Sequence, residues 1–295
     1  MKVFVTGASG WIGSATVDEL LAGGHEVAGL VRSDAAASAL EAKGATAVRG
    51  DLDDLGPMRR GAEDAEAVVH LANKHDWAHP EESNRAERAA VEALIEVLRG
   101  SDRPLALASG VAGLAQGRPG LESDRSPADG PDAPRGGTEN LALEAEGVHA
   151  IALRFAPTVH GVGDHGFIAL IAAAARRTGV SAWVGDGEHA WSAVHRGDAA
   201  RLVRLGVEGA PAGSVLHAVA EEGVPTRAIA DALGRSLDLP ARSVDPADAV
   251  AHFGFIGGFF GMDLRASSAA TRELLGWTPT GPTLLEDIEA GGYPA

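Results

Sequence analysis

VFVTGASGWIG, residues 3–13, combines an apolar strand, a glycine-rich turn and the start of a helix. The turn contains Gly7, Gly10 and Gly13, and an amphipathic stretch at 14–21 follows it. Glycines here let the backbone bend sharply and let a pyrophosphate approach the main chain, while the helix N-terminus offers unpaired N–H groups. This spacing differs from the common G-x-G-x-x-G, and a glycine pattern alone is a weak indicator. Because the turn lies between a strand and a helix, the stretch predicts a nucleotide-binding site.

The composition narrows the classes of partner. The chain has 295 residues, a formal net charge of −16 and no cysteine. The acidic balance argues against nucleic acid and anionic membranes as partners, and the lack of cysteine excludes disulfides and thiolate chemistry. The chain begins with a strand, and its longest apolar runs, such as 167–175, are too short to span a membrane. We therefore expect no signal peptide and a cytoplasmic protein.

Short apolar runs alternate with helical patterns through the first half of the chain, which is typical of a parallel sheet built from βαβ units. The clearest helical pattern is Asn84–Arg99. The segment Gln116–Gly137 is dense in Pro, Gly, Asp and Ser, and it predicts a long mobile loop that is either a lid or disordered. FGFIGGFFG at 253–261 either lines an apolar pocket or forms a packed turn. The predicted strands are Val3–Thr6, Glu26–Val31, Ala47–Arg49, Ala67–Leu71, Leu105–Ser109 and Ile151–Phe155.

The end of the second predicted strand bears on the choice of cofactor. An acidic residue there would accept from the ribose 2′-hydroxyl of NAD, whereas a basic residue accommodates the 2′-phosphate of NADP. This chain has Arg32 and Ser33, which can pair with a phosphate and donate to it. The sequence therefore favours NADP, and NAD stays open because Arg32 could instead stack on adenine. Asp51 and Leu52 follow the third strand, where the adenine edge would lie, and 71–73 ends the fourth.

Further motifs complete a family pattern over nearly the whole chain: TGASGWIG, VRS, GDLDD, HLAN, LASG, LRFAPTVHGVGD, VHRGDAA and LGWTP. The chain resembles the short-chain dehydrogenases/reductases, in the extended or atypical branch related to NAD-dependent epimerase/dehydratases. This resemblance implies an α/β fold of the Rossmann type, a doubly wound parallel sheet with a smaller interleaved C-terminal substrate subdomain. It implies a dinucleotide-binding domain at 1–160 and 191–221, and a substrate-binding subdomain at 161–190 and 222–295.

The resemblance also implies a small-molecule substrate and a homodimer formed through helices that match 84–99 and 138–146. The predicted cofactor-binding residues are Thr6, Gly7, Ser9, Gly10, Trp11, Ile12, Gly13, Arg32, Ser33, Asp51, Leu52, Leu71, Ala72 and Asn73.

The family's catalytic set is a Ser or Thr followed by Tyr-x-x-x-Lys, in which the tyrosine gives a proton to a carbonyl oxygen. Ser109 in LASG matches the serine, but the only tyrosine is Tyr293 and no lysine follows Ser109. Spacing places Arg135 and Glu139 at the Tyr and Lys positions. Arginine stays protonated and cannot act as an acid, although it can stabilise negative charge. Glu139 could act as an acid if it were buried, or the two residues could form a surface ion pair one helical turn apart.

Histidines are the other candidate donors, because imidazole titrates near neutrality. His75 follows the fourth strand on the side where nicotinamide should lie, and His160 replaces a tyrosine in the family's V-Y-G-x-G-D turn, where it should face the substrate region. We expect at least one of His75, His160 and His165 to line the pocket. No metal-ligand spacing such as H-E-x-x-H is present, so no metal site is predicted.

Three functions of different classes stay open. The first is an NADP(H)-dependent reductase that transfers hydride to a small, hydrophobic carbonyl or imine compound without the usual tyrosine. Hydride addition to an iminium ion needs no new proton, whereas addition to a carbonyl leaves an alkoxide that needs a donor or an oxyanion stabiliser. The second is a non-catalytic NADP-binding sensor or partner-binding protein, and the third is a sugar-nucleotide epimerase or dehydratase. Because Ser109 is retained and no strong base is evident, the sequence favours the reductase.

Overall fold

The computed structural model describes residues 1–293, which form an α/β fold. The strands are β1 (Lys2–Thr6), β2 (Glu26–Val31), β3 (Thr46–Arg49), β4 (Ala67–His70), β5 (Ser101–Gly110), β6 (Val148–Phe155), β7 (Thr158–His160), β8 (Ser181–Val184), β9 (Ala190–His195), β10 (Ser214–Ala218), β11 (Glu221–Pro225) and β12 (Ala241–Val244). The α-helices are α1 (Trp11–Ala22), α2 (Asp34–Ala42), α3 (Leu55–Glu63), α4 (Pro80–Leu98), α5 (Thr138–Leu143), α6 (Phe167–Thr178), α7 (Arg196–Gly209), α8 (Thr226–Leu237), α9 (Ala249–Phe253), α10 (Gly257–Phe260), α11 (Ala269–Leu275) and α12 (Leu284–Glu289).

Seven strands form one parallel sheet in the order β10–β6–β5–β4–β1–β2–β3. Val3 of β1 is in register with Val27 of β2 on one side and with Ala67 of β4 on the other. The strand order reverses between β1 and β4, and ligands of such sheets bind beyond the carboxyl ends of the strands at this switch point. The predicted doubly wound parallel sheet is therefore confirmed, and its geometry directs attention to the segments after β1 and β4.

Alternate side chains of β1 enter two apolar layers, one on each face of the sheet. Val3 packs in the layer that contains Val17 of α1. Phe4 packs in the opposite layer, with Met58 of α3 and Leu94 of α4. Because helices cover both faces, the central strands read as continuous apolar runs rather than as alternating ones.

A second apolar core lies outside the seven-stranded sheet. It is built around a three-stranded sheet in the order β11–β9–β7 and around the parallel pair of β8 and β12. Trp191 of β9 is fully buried and meets the ring of Phe260 edge-on at 5.2 Å. Phe253 also packs in this core, so the FGFIGGFFG motif contributes to a packed region. Phe255 of the same motif is 42% exposed and does not.

The predicted helix Asn84–Arg99 is α4, which begins four residues earlier, at Pro80. Proline suits the first helical position because its φ is already helical and its missing N–H would have no partner there. No helix within residues 1–293 is both long and apolar enough to cross a membrane.

The predicted loop Gln116–Gly137 contains no helix or strand, within this described segment, before a single 3₁₀ turn at Pro134–Gly137. Several contacts fasten it to the rest of the chain. Among them, the Gly120 N–H donates to the Arg265 carbonyl at 2.9 Å, and the Asn140 side-chain amide donates to a loop carbonyl at 3.0 Å. Its irregular structure agrees with the sequence, and its mobility stays a prediction.

The first strand and the first helix approach each other at two glycines. Gly7 has a φ of +68°, a left-handed conformation that favours glycine. A Cβ on Gly13 would lie 2.0 Å from the carbonyl oxygen of Gly7. The turn therefore has this shape only because residue 13 carries no side chain.

We expect Gly13→Ala to destabilise the protein by about 1–3 kcal/mol, because the added methyl group must push α1 away from β1. Thermal unfolding measures the loss. Gly209→Ala, at the end of α7, is the matched control: a Cβ there would meet no described atom of another element within 4 Å, so the substitution should leave the melting temperature unchanged or slightly higher. Equal stability of the two variants would contradict the tight strand–helix contact.

Candidate active site

The glycine-rich turn exposes backbone at the carboxyl end of β1. The Gly7 carbonyl accepts a hydrogen bond from the Gly10 N–H at 2.9 Å. A Cβ on Gly7 would lie 2.8 Å from the Ala72 nitrogen, so the turn packs directly against the chain that follows β4. Ser9 and Gly10 are exposed, and no side chain caps α1, which begins at Trp11. An uncapped helix end of this kind suits a pyrophosphate, and cofactor binding at this turn stays a prediction.

The ends of β2 and β3 carry the residues predicted for the adenosine side. Arg32 and Ser33 are exposed, and Arg32 forms no ion pair within residues 1–293. The Ser33 hydroxyl oxygen caps α2 by accepting a backbone N–H at 3.2 Å. The Asp51 carboxylate accepts two backbone N–H groups of its own turn at 2.9 and 3.0 Å, and Leu52 is buried in the core. Ser33 and Asp51 thus have polar partners and Leu52 lies in the core. Arg32 is the one of these four whose side chain has neither, among the described residues.

Trp11 joins the glycine turn to the second half of the chain. Its indole N–H donates to the Val159 carbonyl at 2.7 Å, and the Arg196 guanidinium lies 4.3 Å from the centre of its ring. His165 meets the same ring edge-on at 5.6 Å, while Ile12 packs against the core. The sequence did not single out Arg196, although its place in VHRGDAA was the available signal. Arg196 adds a positive charge beside the turn.

Thr6 connects the carboxyl ends of β1 and β4. Its Oγ1 lies 2.8 Å from Nδ1 of the buried His70 and accepts the Ala72 N–H at 3.2 Å. A Cβ on Gly7 would also lie 2.9 Å from the Leu71 carbonyl carbon. The structure thus brings together predicted cofactor residues from both sides of the switch point, and the side chain of Thr6 serves to hold the two strand ends together.

Glu87 is a fully buried carboxylate at the centre of a polar cluster beside this point. It accepts from Nη2 of Arg135 at 2.6 Å and from the side-chain amide of Asn73 at 3.1 Å. Nε2 of His70 lies 3.6 Å away, too far for a hydrogen bond. Burial by itself raises the pKa of such a carboxyl, but the Arg135 charge, together with His70 and Asn73, lowers the pKa of Glu87 to about 2. The cluster therefore holds an ionised glutamate across the physiological pH range.

Arg135 is held in place by both its backbone and its side chain. Its φ is +54°, and its N–H donates to Oδ1 of Asn84 at 2.9 Å. Two glycines that also have positive φ follow it, so α5 begins only at Thr138. The Nε of Arg135 is buried and, within residues 1–293, has no hydrogen-bond partner. Nη2 of the guanidinium is thus fixed by Glu87, whereas Nη1, on a side chain that is 27% exposed, bonds to no described residue and is left available to another acceptor.

Glu139, the other residue predicted at the missing Tyr–Lys pair, lies in a separate buried ion pair. Both of its oxygens accept from Arg154, the shortest distance being 2.6 Å to Nη2. Arg154 also donates to the Asp124 carbonyl at 2.8 Å, which fastens the long loop. The alternative of a surface pair between Arg135 and Glu139 is therefore wrong: the helix needed for that spacing is interrupted, and each residue has a buried partner elsewhere.

Ser109 and His75 lie near the carboxyl ends of two adjacent strands, Ser109 as the penultimate residue of β5 and His75 beyond the end of β4. Ser109 is half-buried at the end of β5, and its hydroxyl has no hydrogen-bond partner within the described residues. His75 has a φ of +51°, and its N–H donates to Oδ1 of Asn73 at 2.8 Å. Desolvation, followed by the Arg135 charge, lowers the pKa of His75, so its imidazole is neutral at pH 7.

His160 is fully buried, and its ring contacts residues outside the cluster around Glu87. Its Nδ1 lies 2.6 Å from Oδ2 of Asp287 in α12, and its ring meets that of His195 edge-on at 5.7 Å. Neither partner belongs to the cluster around Glu87, and a ring with no exposed surface does not face the substrate region as expected. A catalytic role for His160 stays a prediction. In residues 1–293 no three His, Asp or Glu side chains are arranged to hold a metal ion.

An aromatic wall, which we define as Trp77, Phe167, Phe255 and Phe259, lies next to His75. The Trp77 ring stacks on Phe255 with centres 5.3 Å apart, and Phe167 stacks on Phe259 at 6.0 Å. The His75 and Trp77 rings are 6.2 Å apart. The wall therefore joins the segment after β4 to the FGFIGGFFG motif. The sequence predicts that this motif either lines an apolar pocket or forms a packed turn. Phe255 and Phe259 are the members of the motif in a position to line a pocket.

Comparisons with known proteins agree with this arrangement. A sequence model of the NAD dependent epimerase/dehydratase family matches residues 3–218. An uncharacterized protein of Schizosaccharomyces pombe is 44% identical over 99% of this chain and 100% of its own length. The 4-hydroxy-2-methyl-3-oxo-4-farnesyl-3,4-dihydroquinoline-1-oxide ketoreductase of Stigmatella aurantiaca is 30% identical over 73% of this chain and 67% of its own. A structure of the dTDP-glucose 4,6-dehydratase DesIV from Streptomyces venezuelae, with NAD bound, is 22% identical, has a TM-score of 0.76 and covers 99% of this chain and 96% of that one.

We expect Glu139→Gln to lower the free energy of unfolding by about 3–5 kcal/mol, because it leaves Arg154 charged and unpaired in the core. Chemical denaturation measures the change. Glu144→Gln is the matched control, since Glu144 pairs with Arg125 at 2.5 Å where both side chains are more than half exposed, so it should alter stability little. A Glu139→Gln protein that is fully stable but inactive would instead indicate a role in catalysis.

Proposed function

This chain belongs to the NAD dependent epimerase/dehydratase family, and we propose that it is an NADPH-dependent reductase of a small, apolar carbonyl or imine compound. Family membership and the ketoreductase relative support an oxidoreductase-type function. That relative also favours a carbonyl acceptor. The sugar-nucleotide epimerase or dehydratase alternative is compatible with the same family match and with a likeness of fold at 22% identity, and it stays open.

One observation carries the proposal: the guanidinium of Arg135, the residue that sequence spacing assigns to the family's tyrosine position, is held by a buried carboxylate. Arg135 is held by Glu87 beside the segment after β4, and Ser109 ends the neighbouring strand β5 with a hydroxyl that bonds to no described residue. A bound nicotinamide cofactor would supply the hydride. A guanidinium that is already oriented can donate to the acceptor's oxygen and stabilise the negative charge that develops there.

The proton needs a different source from the family's tyrosine. Arg135 does not release its proton at accessible pH, and neutral His75 is a poor donor. The Ser109 hydroxyl can pass a proton inward from water once the alkoxide has formed. An iminium acceptor requires none, because hydride addition gives a neutral amine. Both acceptor classes therefore belong to the proposal.

We propose that NADP(H) is the cofactor, with NAD as the alternative. Arg32 supports this choice, because it is exposed at the end of β2 and unpaired in the described chain, whereas Arg49 of β3 already pairs with Asp34 at 3.2 Å. Ser33 accepts one N–H of α2 and still has its own O–H to donate to a phosphate.

The wider organisation is part of the same proposal. Residues 1–160 and 191–221 would bind the dinucleotide, and 161–190 and 222–295 would enclose the acceptor. A homodimer through α4 and α5 and a cytoplasmic location follow from the sequence and are proposed with it.

The direct test is NADPH oxidation with ketones and iminium ions of matched carbon skeleton. We expect turnover of at least one class. Turnover of iminium ions alone would support hydride transfer without a proton donor, and turnover of ketones would support oxyanion stabilisation by Arg135. Ser109→Ala is the control for the ketone reaction and should lower turnover by about 10²-fold. Tight NADPH binding without oxidation of either class would favour the non-catalytic sensor.

Arg32→Asp should shift cofactor preference from NADPH towards NADH by about tenfold or more, because it replaces a cation that pairs with the 2′-phosphate by an anion that repels it. The measurement is kcat/KM for each cofactor with the same acceptor. Arg235→Asp, which makes the same charge change on α8, should leave the ratio unchanged. An unchanged ratio in Arg32→Asp would show that Arg32 does not bind the 2′-phosphate.

A further inference from the structure

The aromatic wall is unusual for its exposure. Trp77 is 54% exposed and Phe255 is 42% exposed, although each already covers part of the other by stacking. Most of the stabilising free energy of a stacked aromatic pair comes from removing apolar surface from water. Rings that stay exposed to solvent therefore gain only part of this free energy. Exposed aromatic surface of this kind is typical of a binding site for another ring.

The position of the aromatic wall indicates which kind of ligand it would bind. Trp77 is two residues from His75, whose N–H donates to Oδ1 of Asn73 at 2.8 Å. The Asn73 amide in turn donates at 3.1 Å to the Glu87 carboxylate that holds Arg135, so a short chain of hydrogen bonds connects the segment that carries Trp77 to the guanidinium. The segment that carries Trp77 is fixed: the Asp76 carboxylate accepts the N–H groups of the two residues after Trp77 at 3.0 and 3.2 Å. A ligand that reaches from Trp77 to Arg135 would thus contact a ring and a hydrogen-bond donor that are both held in place.

The charges near the wall argue against an anionic or cationic ring substituent. The positive charge of Arg135 is balanced by Glu87 at 2.6 Å, and the Asp76 carboxylate beside Trp77 is paired with His79 at 2.9 Å. What stays available is Nη1 of Arg135, which has no hydrogen-bond partner among the described residues and belongs to a side chain that is 27% exposed, and it suits one neutral acceptor atom.

We propose that the substrate is a planar aromatic carbonyl compound, whose ring stacks on Trp77 and Phe255 while its oxygen accepts from Arg135. This narrows the proposed reductase to one substrate class and rests on that function. It assigns Trp77 and Phe255 as specificity-determining residues. Trp183 has no part in it, because its ring packs instead under Arg227 at 5.0 Å.

The test measures binding rather than turnover. Benzamide and cyclohexanecarboxamide present the same carbonyl on a flat and on a puckered ring, and neither is a hydride acceptor. With the full chain and NADP⁺ present, calorimetry should find benzamide bound about fivefold more tightly, as expected for aromatic stacking. Trp77→Leu should remove this preference, and Trp183→Leu, the matched Trp-to-Leu control, should retain it. Phe255→Leu is the second variant should Trp77→Leu fail to fold, and it should also reduce the preference.

Equal affinities for the two amides, a preference that persists in Trp77→Leu and in Phe255→Leu, or no binding of either amide would overturn the proposal. These outcomes are separable from a failure of the proposed function. A protein that binds benzamide selectively but oxidises no NADPH would retain the aromatic site and lose the reductase. A protein that reduces carbonyl compounds but shows equal amide affinities would retain the reductase and lose the aromatic site.

Discussion

The buried carboxylate of Glu87 is the interaction on which the arrangement of the site depends. An ionised group with no exposed surface costs several kcal/mol unless it is paired and hydrogen-bonded. Its two close partners come from different places: Arg135 from the turn before α5, and Asn73 from the segment after β4. Removing either would leave a buried charge poorly satisfied. The segment that carries His75 and Trp77 is therefore fixed relative to Arg135, because both are bonded to the same buried carboxylate. The buried charge needs these partners, so the arrangement does not depend on packing alone.

The fold could be predicted from the sequence because its causes are local. Apolar runs between turn residues mark the parallel strands, and the glycine turn marks the switch point. Family membership confirms the resemblance that the motifs showed. Helix ends were predicted less well: α4 begins at Pro80 rather than Asn84, because charged residues in the first turn hide the apolar spacing. The division into two domains stays a prediction.

The partners of Arg135 and Glu139 could not be predicted, because they depend on contacts between distant residues. Four-residue spacing implies an ion pair only if a helix is continuous. Here Arg135 and the two glycines after it have positive φ, so no helix joins them to Glu139. Glu87 lies 48 residues from Arg135 in the chain, and nothing in the local pattern of α4 marks its carboxylate as buried. The FGFIGGFFG motif was similarly ambiguous, since it places Phe253 and Phe260 in the core and leaves Phe255 exposed.

In the proposed reductase, an arginine would take the place of the family's tyrosine, and this would change which step of a reduction the protein can assist. A tyrosine both stabilises the developing charge on oxygen and supplies a proton, whereas a guanidinium does only the first. Charge stabilisation is most useful when the acceptor already accommodates negative charge or when water can deliver the proton afterwards. Carbonyl groups conjugated with an aromatic ring are polarised acceptors of this kind, and an exposed wall of Trp77 and Phe255 next to the guanidinium suits them. Under the proposed function, the absence of the tyrosine and the presence of the aromatic wall would thus have one chemical explanation.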